Sequence, residues 1–255
     1  MDFFAARNIT MQFGGLTAVD GFNLTLQKGE MAGIIGPNGA GKTTVFNMIS
    51  GYYQPTAGSI DFQGRQIAGL KANRITKLGI ARTFQNIRLF PDLSVRENVI
   101  IARHCRLRSS FIGAILRLPR YRNEEKEMHE LATQLLAEVG LKNVADEKSS
   151  SLPYGMQRKL EIARAVATSP QLLLLDEPVA GMNPNETMEL LDLILRLKEA
   201  HGLTVLLIEH DMKFVMRIWE RISVLDYGVT IAEGTPAEIQ ANAKVIEAYL
   251  GETAC

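Results

Sequence analysis

The chain has 255 residues, 46% of them hydrophobic and 22% charged, which suits one large globular domain or one domain plus a small subdomain. Lys+Arg and Asp+Glu balance at 28 each, so bulk charge gives no ground for nucleic-acid binding. Cys105 and Cys255 lie far apart with no metal-ligand spacing; a disulfide framework is excluded and a reducing compartment is expected. Residues 1–7 carry neither a basic leader nor a long apolar core, so no signal peptide is expected. No apolar run approaches the roughly 18 residues of a membrane span, and membrane association is expected only through a partner.

Phe22, Leu24 and Leu26 alternate with polar residues, as in a half-buried strand. Met31–Ile35 reads as a short buried strand and Thr44–Ile49 as a helix. Between them, Gly36-Pro37-Asn38-Gly39-Ala40-Gly41-Lys42-Thr43 fits G-x-x-x-x-G-K-[ST] with no mismatch. Glycines let consecutive N–H groups turn toward phosphate oxygens, and the helix N-terminus adds a favourable dipole. Lys42 is expected to bridge the β- and γ-phosphates, and the Thr43 hydroxyl to ligate Mg²⁺. These eight residues, with Thr44 behind them, predict a nucleoside triphosphate site. The alternative is a Gly-rich turn opening a helix, but the strand–loop–helix context favours the site.

Residues 95–165 are mostly helical in pattern, like an insertion into an α/β core. Glu125–Val139 reads as an amphipathic helix ended by Gly140. Leu172–Leu175 and Val205–Ile208 are nearly continuous apolar runs, as in central parallel strands. The first ends in Asp176-Glu177, at the sheet edge where a phosphate loop would lie. Asp176 is expected to hold Mg²⁺ through its water shell, and Glu177 to polarise the attacking water. Asn183-Pro184-Asn185-Glu186 reads as a helix start, with Gly202 as the stop. The second run leads to Glu209-His210-Asp211; His210 is expected to contact the γ-phosphate, against a purely structural role, and Asp211 to cap a helix from Met212 to about Arg221.

In order and spacing these motifs resemble the nucleotide-binding subunit of an ABC transporter. The resemblance takes in Gln85 within Arg82-Thr83-Phe84-Gln85 and the segment Leu152-Pro153-Tyr154-Gly155-Met156-Gln157-Arg158, and covers essentially the whole chain. It implies an α/β fold: a P-loop NTPase (ABC ATPase) core with a mixed sheet, an inserted helical subdomain and an N-terminal antiparallel β subdomain. Residues 1–94 and 166–255 would form the core of a single domain, and 95–165 the helical subdomain. It also implies that Phe13, by itself a packing residue, stacks on adenine. Gln85 would contact Mg²⁺ and the attacking water, Gly155 would face a partner's γ-phosphate, and Ala180–Asn183 would touch the partner. The expected cofactors are ATP and Mg²⁺.

The segment at 152–156 departs from the usual Leu-Ser-Gly-Gly-Gln, with Pro153, Tyr154 and Met156 replacing Ser, Gly and Gln. Pro153 offers a phosphate neither hydroxyl nor N–H. An asymmetric heterodimer with a second, LivF-like ATPase subunit is therefore expected. Phe13-Gly14-Gly15-Leu16, Arg82–Phe90, Gly234–Ile239 and Ala248–Glu252 are similar to the LivG-type subunits of branched-chain amino acid importers. That implies two permease subunits, an extracytoplasmic substrate-binding protein, and a peripheral place on the cytoplasmic face of the inner membrane. Urea, short amides or another polar amino acid are the alternative cargo; a soluble or regulatory ABC ATPase and a lipopolysaccharide extractor are rival readings. Arg103, Arg106, Arg108, Arg117, Arg120 and Arg122, interleaved with Phe111, Ile112, Ile115 and Leu116, read as a solvated hairpin or as a surface for the membrane subunit or anionic headgroups.

Overall fold

Two sheets organise the chain, for which the computed structural model describes residues 2–107, 109, 118–209 and 219–250. β1 (Phe4–Phe13) and β2 (Leu16–Leu26) pair antiparallel, burying Phe22, Leu24 and Leu26 as their alternation predicts. β4 (Ala57–Phe62) and β5 (Arg65–Gln66) complete an antiparallel sheet of order β2-β1-β4-β5.

The second sheet holds β3 (Met31–Ile35), β6 (Ile80–Arg82), β7 (Leu172–Asp176), β8 (Thr204–Ile208), β9 (Arg221–Asp226) and β10 (Val229–Gly234). Their order is β10-β9-β3-β8-β7-β6, parallel except for β10 against β9. Strands β3, β7 and β8 are buried on both sides, and their side chains alternate between the two faces of the sheet. Leu173, Leu175, Val205 and Leu207 join one apolar cluster; Leu172, Leu174, Leu206 and Ile208 join the other, with Phe4, Phe22 and Phe46. This double burial explains the continuous apolar runs in the sequence.

The helices are α1 (Lys42–Ile49), α2 (Ala72–Leu78), α3 (Val95–Arg103), α4 (Pro119–Glu138), α5 (Tyr154–Ala167), α6 (Pro184–His201), α7 (Pro236–Gln240) and α8 (Ala243–Leu250). α6 opens with the expected capping box, Asn183 with Glu186, and ends at Gly202 in the left-handed region. α4 starts six residues before the predicted Glu125, because Pro119 supplies a helix-ready first position. Arg221 does not end a helix: it opens β9 and pairs with Ala32 of β3, where Ile222, Ser223, Val224 and Leu225 are buried. Trp219 and Glu220, just before it, are not helical either; residues 212–218 of the helix predicted from Met212, with His210 and Asp211, lie outside the described residues. α3, α4 and α5 follow one another between residues 95 and 167, and their buried faces join the first cluster.

Candidate nucleotide site

β3 delivers the chain to the glycine loop at the sheet's C-terminal edge, and α1 leads away from it. Gly41 has φ 99°, and a Cβ there would lie 2.6 Å from the Ala18 carbonyl oxygen, so only glycine fits the turn. Lys42 is buried, and its Nζ donates to the carbonyls of Gly36 (2.5 Å) and Pro37 (2.7 Å), spanning the loop. No acidic residue occupies the first turn of α1, so nothing there opposes an anion. The Thr43 side chain opens toward a cavity of about 360 Å³ lined also by Asn47, Arg82, Gln85 and Asp176. The three residues expected to serve Mg²⁺ thus share one space.

Asp176, the last residue of β7, is buried and paired with Arg82 at 2.8 Å. Arg82 also donates to Asn47 Oδ1 (2.7 Å) and Ser50 Oγ (3.0 Å), and its guanidinium lies over Phe84. Burial pushes the Asp176 carboxyl above its ordinary range, opposed by the hydrogen bond and charge of Arg82. Thr43, Gln85 and Asp176 form a hydroxyl, carboxamide and carboxylate set, the hard-oxygen chemistry that suits Mg²⁺. Among the described residues no cluster of three or more His, Cys, Asp or Glu could hold a metal.

Glu177 follows with φ 45°, uncommon outside glycine and costly enough to mark functional sites. Its N–H donates to Ile208 O (3.0 Å), so the register of β8 sets where the side chain leaves the sheet. Gln85 Nε2 donates to Glu177 Oε2 at 2.7 Å. The sequence placed these two residues separately; the fold joins them. Phe13 is 42% exposed at the β1–β2 turn, its ring in edge contact with Tyr53 at 5.2 Å. The exposed part of this ring remains available for stacking. Gly155 lies in the first turn of α5, where a Cβ would meet only Glu186, at 3.7 Å. His210 lies outside the described residues.

Four features escaped the sequence reading. Arg82 and Tyr53 support the residues just described. Glu209 is buried, with Oε1 accepting from Val179 N at 3.4 Å. Arg158 and Glu161 form a buried ion pair at 2.7 Å. Burial pushes the Glu161 carboxyl up, against the charge of Arg158. The available signal was charge among apolar neighbours, as in Ile80-Ala81-Arg82 and Leu160-Glu161-Ile162. The arginine-rich segment divides. Arg106 donates to the carbonyls of Thr168 (2.6 Å) and Lys77 (2.8 Å), and Arg103 to Ser169 Oγ (2.6 Å). These two serve the C-terminal ends of α5 and α2 rather than a free basic face. Arg120 pairs with Glu124. Arg108, Phe111, Ile112, Ile115, Leu116 and Arg117 lie outside the described residues.

A glycine loop, an acidic strand end and a carboxamide converging on one sheet edge define a P-loop ATPase. The ABC transporter family matches residues 19–180, and a branched-chain amino acid ATP-binding cassette transporter family matches residues 229–254. The chain is 49% identical to the high-affinity branched-chain amino acid transport ATP-binding protein BraF of Pseudomonas aeruginosa, over 96% of each chain. It is 46% identical to LivG of Escherichia coli, described in the same terms, over 97% of each. The crystal structure of the ADP conformation of MJ1267, an ATP-binding cassette of an ABC transporter, aligns with TM-score 0.86 and 32% identity, covering 98% of this chain and 99% of that one. The chain belongs to the ABC transporter family. It is an ATP-binding and ATP-hydrolysing subunit that works with membrane permease partners and is membrane-associated. No helix among the described residues is long and apolar enough to cross a membrane.

Proposed function

We propose that this chain powers the uptake of branched-chain amino acids, leucine, isoleucine and valine, from the cytoplasmic face of the membrane. The observation that carries the reading is near end-to-end identity of 46–49% with proteins described as serving that transport. The family match at residues 229–254 supports it. In the proposed assembly two permease subunits, a second LivF-like ATPase subunit and an extracytoplasmic substrate-binding protein complete the importer. Residues 1–94 and 166–255 act as the ATPase core, and 95–165 as the helical subdomain.

The site residues within the described part of the chain have the following proposed roles. The backbone from Gly36 to Thr44 cradles phosphate, and Lys42 exchanges its loop carbonyls for phosphate oxygens. Thr43 and Asp176, with Gln85, hold Mg²⁺, which when bound neutralises phosphate charge. Glu177 accepts the proton of the attacking water, and Gln85 orients that carboxylate. Phe13 stacks on adenine, and Gly155 approaches the partner's γ-phosphate.

The test is radiolabelled leucine uptake in cells whose only copy of this gene carries Glu177→Gln. Uptake should be lost, and restored by the wild-type gene. Unlabelled isoleucine and valine should compete with the restored uptake, and urea should not. Unchanged leucine uptake, with expression confirmed and no redundant system, would discard this cargo and bring urea or short amides forward.

A further inference from the structure

Tyr154 stands where ABC subunits usually carry glycine, and its hydroxyl is used twice. It donates to the Ala180 carbonyl at 3.0 Å and accepts from Arg158 Nη2 at 3.1 Å, the full donor-and-acceptor use of a phenol. The ring lies against Gly181, where a Cβ would make only ordinary contact, 3.8 Å from Tyr154 Cε1. Arg158 is fully buried and donates to Phe84 O and Gln85 O, each at 2.7 Å. Its partner Glu161 accepts from Phe84 N (3.4 Å) and Arg88 N (3.3 Å). One ion pair of α5 therefore clasps the backbone of residues 84–88 from both its donor and acceptor sides.

The bonds form a ring. Tyr154 meets Arg158, Arg158 holds Gln85, and Gln85 donates to Glu177. Ala180 N donates to Glu177 O at 3.2 Å, and Ala180 O returns to Tyr154. Separating the start of α5 from the 84–88 segment would strip both buried members of this ion pair of their backbone partners at once.

We propose that Tyr154 is a positioning residue that ties the first turn of α5 to the Glu177–Ala180 turn of its own chain, so that docking of α5 onto a partner's nucleotide sets the geometry of this chain's own Glu177. This deepens the reading of Glu177 as the water-activating carboxylate and rests on it. The Pro-Tyr-Gly-Met departure is then an added intrachain link, and not only a weakened phosphate cap.

The first test is hydrogen–deuterium exchange on the full-length chain with Tyr154→Phe, which keeps the ring and removes only the hydroxyl. Amides of residues 84–88 and 178–183 should exchange about two- to tenfold faster, as for the loss of one hydrogen bond at each end of the tether, with the protein still folding cooperatively and its thermal midpoint lowered by only a few degrees. Unaltered exchange in both segments overturns the tether. The second test uses the assembled complex, with the partner's catalytic carboxylate replaced so that only this chain's site turns over. Tyr154→Phe should lower kcat several-fold and leave KM for ATP unchanged. A loss seen only when Glu177→Gln confines turnover to the partner's site would overturn the proposal in favour of a phosphate cap. Undiminished single-site turnover by Glu177→Gln would instead sink the Glu177 reading, and the exchange result would still decide the tether.

Discussion

The glycine loop before α1 and the turn before α5 both aim a helix N-terminus toward an expected phosphate, yet they are built differently. At α1 the backbone does the work: Gly39 and Gly41 take positive φ, and Lys42 crosses the loop within its own segment. At α5 the N-cap is Pro153, without a side-chain cap, and Tyr154, Arg158 and Glu161 reach to segments 26 to 77 residues away. Neither helix carries an acid in its first turn, whereas α3, α6 and α7 open with capping boxes that include a glutamate. α2 and α4 also lack a first-turn acid. An uncapped helix start therefore permits an anion without creating its site; α1 adds a backbone cradle, whereas α5 is anchored by a side-chain framework.

The largest effect expected from breaking this contrast lies at α5. Arg158→Met strands Glu161 in the interior and should cost about 3–5 kcal/mol of stability, read from urea denaturation. Replacing both partners with methionine should recover much of that loss. Equal destabilisation by the single and double variants would show that the pair is not the source. At α1, Lys42→Ala should lower ATP affinity about ten- to a hundredfold, matching charge-assisted hydrogen bonds of about 1.5–3 kcal/mol. Titration calorimetry checks this, and unchanged affinity would remove Lys42 from the phosphate site.

Smaller effects separate the capped helices from the uncapped pair. Asn183 Oδ1 accepts from the N–H groups of Asn185 and Glu186, both at 3.0 Å. Asn183→Ala should cost about 1 kcal/mol in thermal unfolding; no loss would show the cap to be idle. The smallest effect is pH-dependent. Hydrogen bonds from Ser94 and Thr235 hold the Glu97 and Glu238 carboxyls below their ordinary 4.5. A lowered folded value means that this stabilisation is full above 4.5 and fades as pH falls through the folded value. The stability gap between wild type and the Glu97→Gln/Glu238→Gln variant should shrink over that window. A constant gap would show that charge is not what these caps use. α1 and α5, having no first-turn acid, add no capping contribution to this acid limb.

The glycine loop, the buried strands and the cap of α6 were legible in the sequence because each is specified within a few residues. Glycine alone fits the loop's backbone, continuous apolar runs report burial on two faces, and Asn-Pro-x-Glu satisfies its own helix start. Leu172–Glu177 announced a carboxylate at a strand end by the same local logic. That Asp176 would meet Arg82, 94 residues earlier in the chain, was not legible; it depends on β6 lying beside β7, with Arg82 opposite Leu174. The contacts of Gln85 with Glu177 and of Tyr154 with Ala180 likewise join loops from separate elements. The sequence by itself determined which segments can cradle a phosphate and which must be buried, because backbone freedom and hydrophobicity are local properties. Only the tertiary structure decided which charged and polar side chains meet, because strand order and helix docking bring those partners together across the chain.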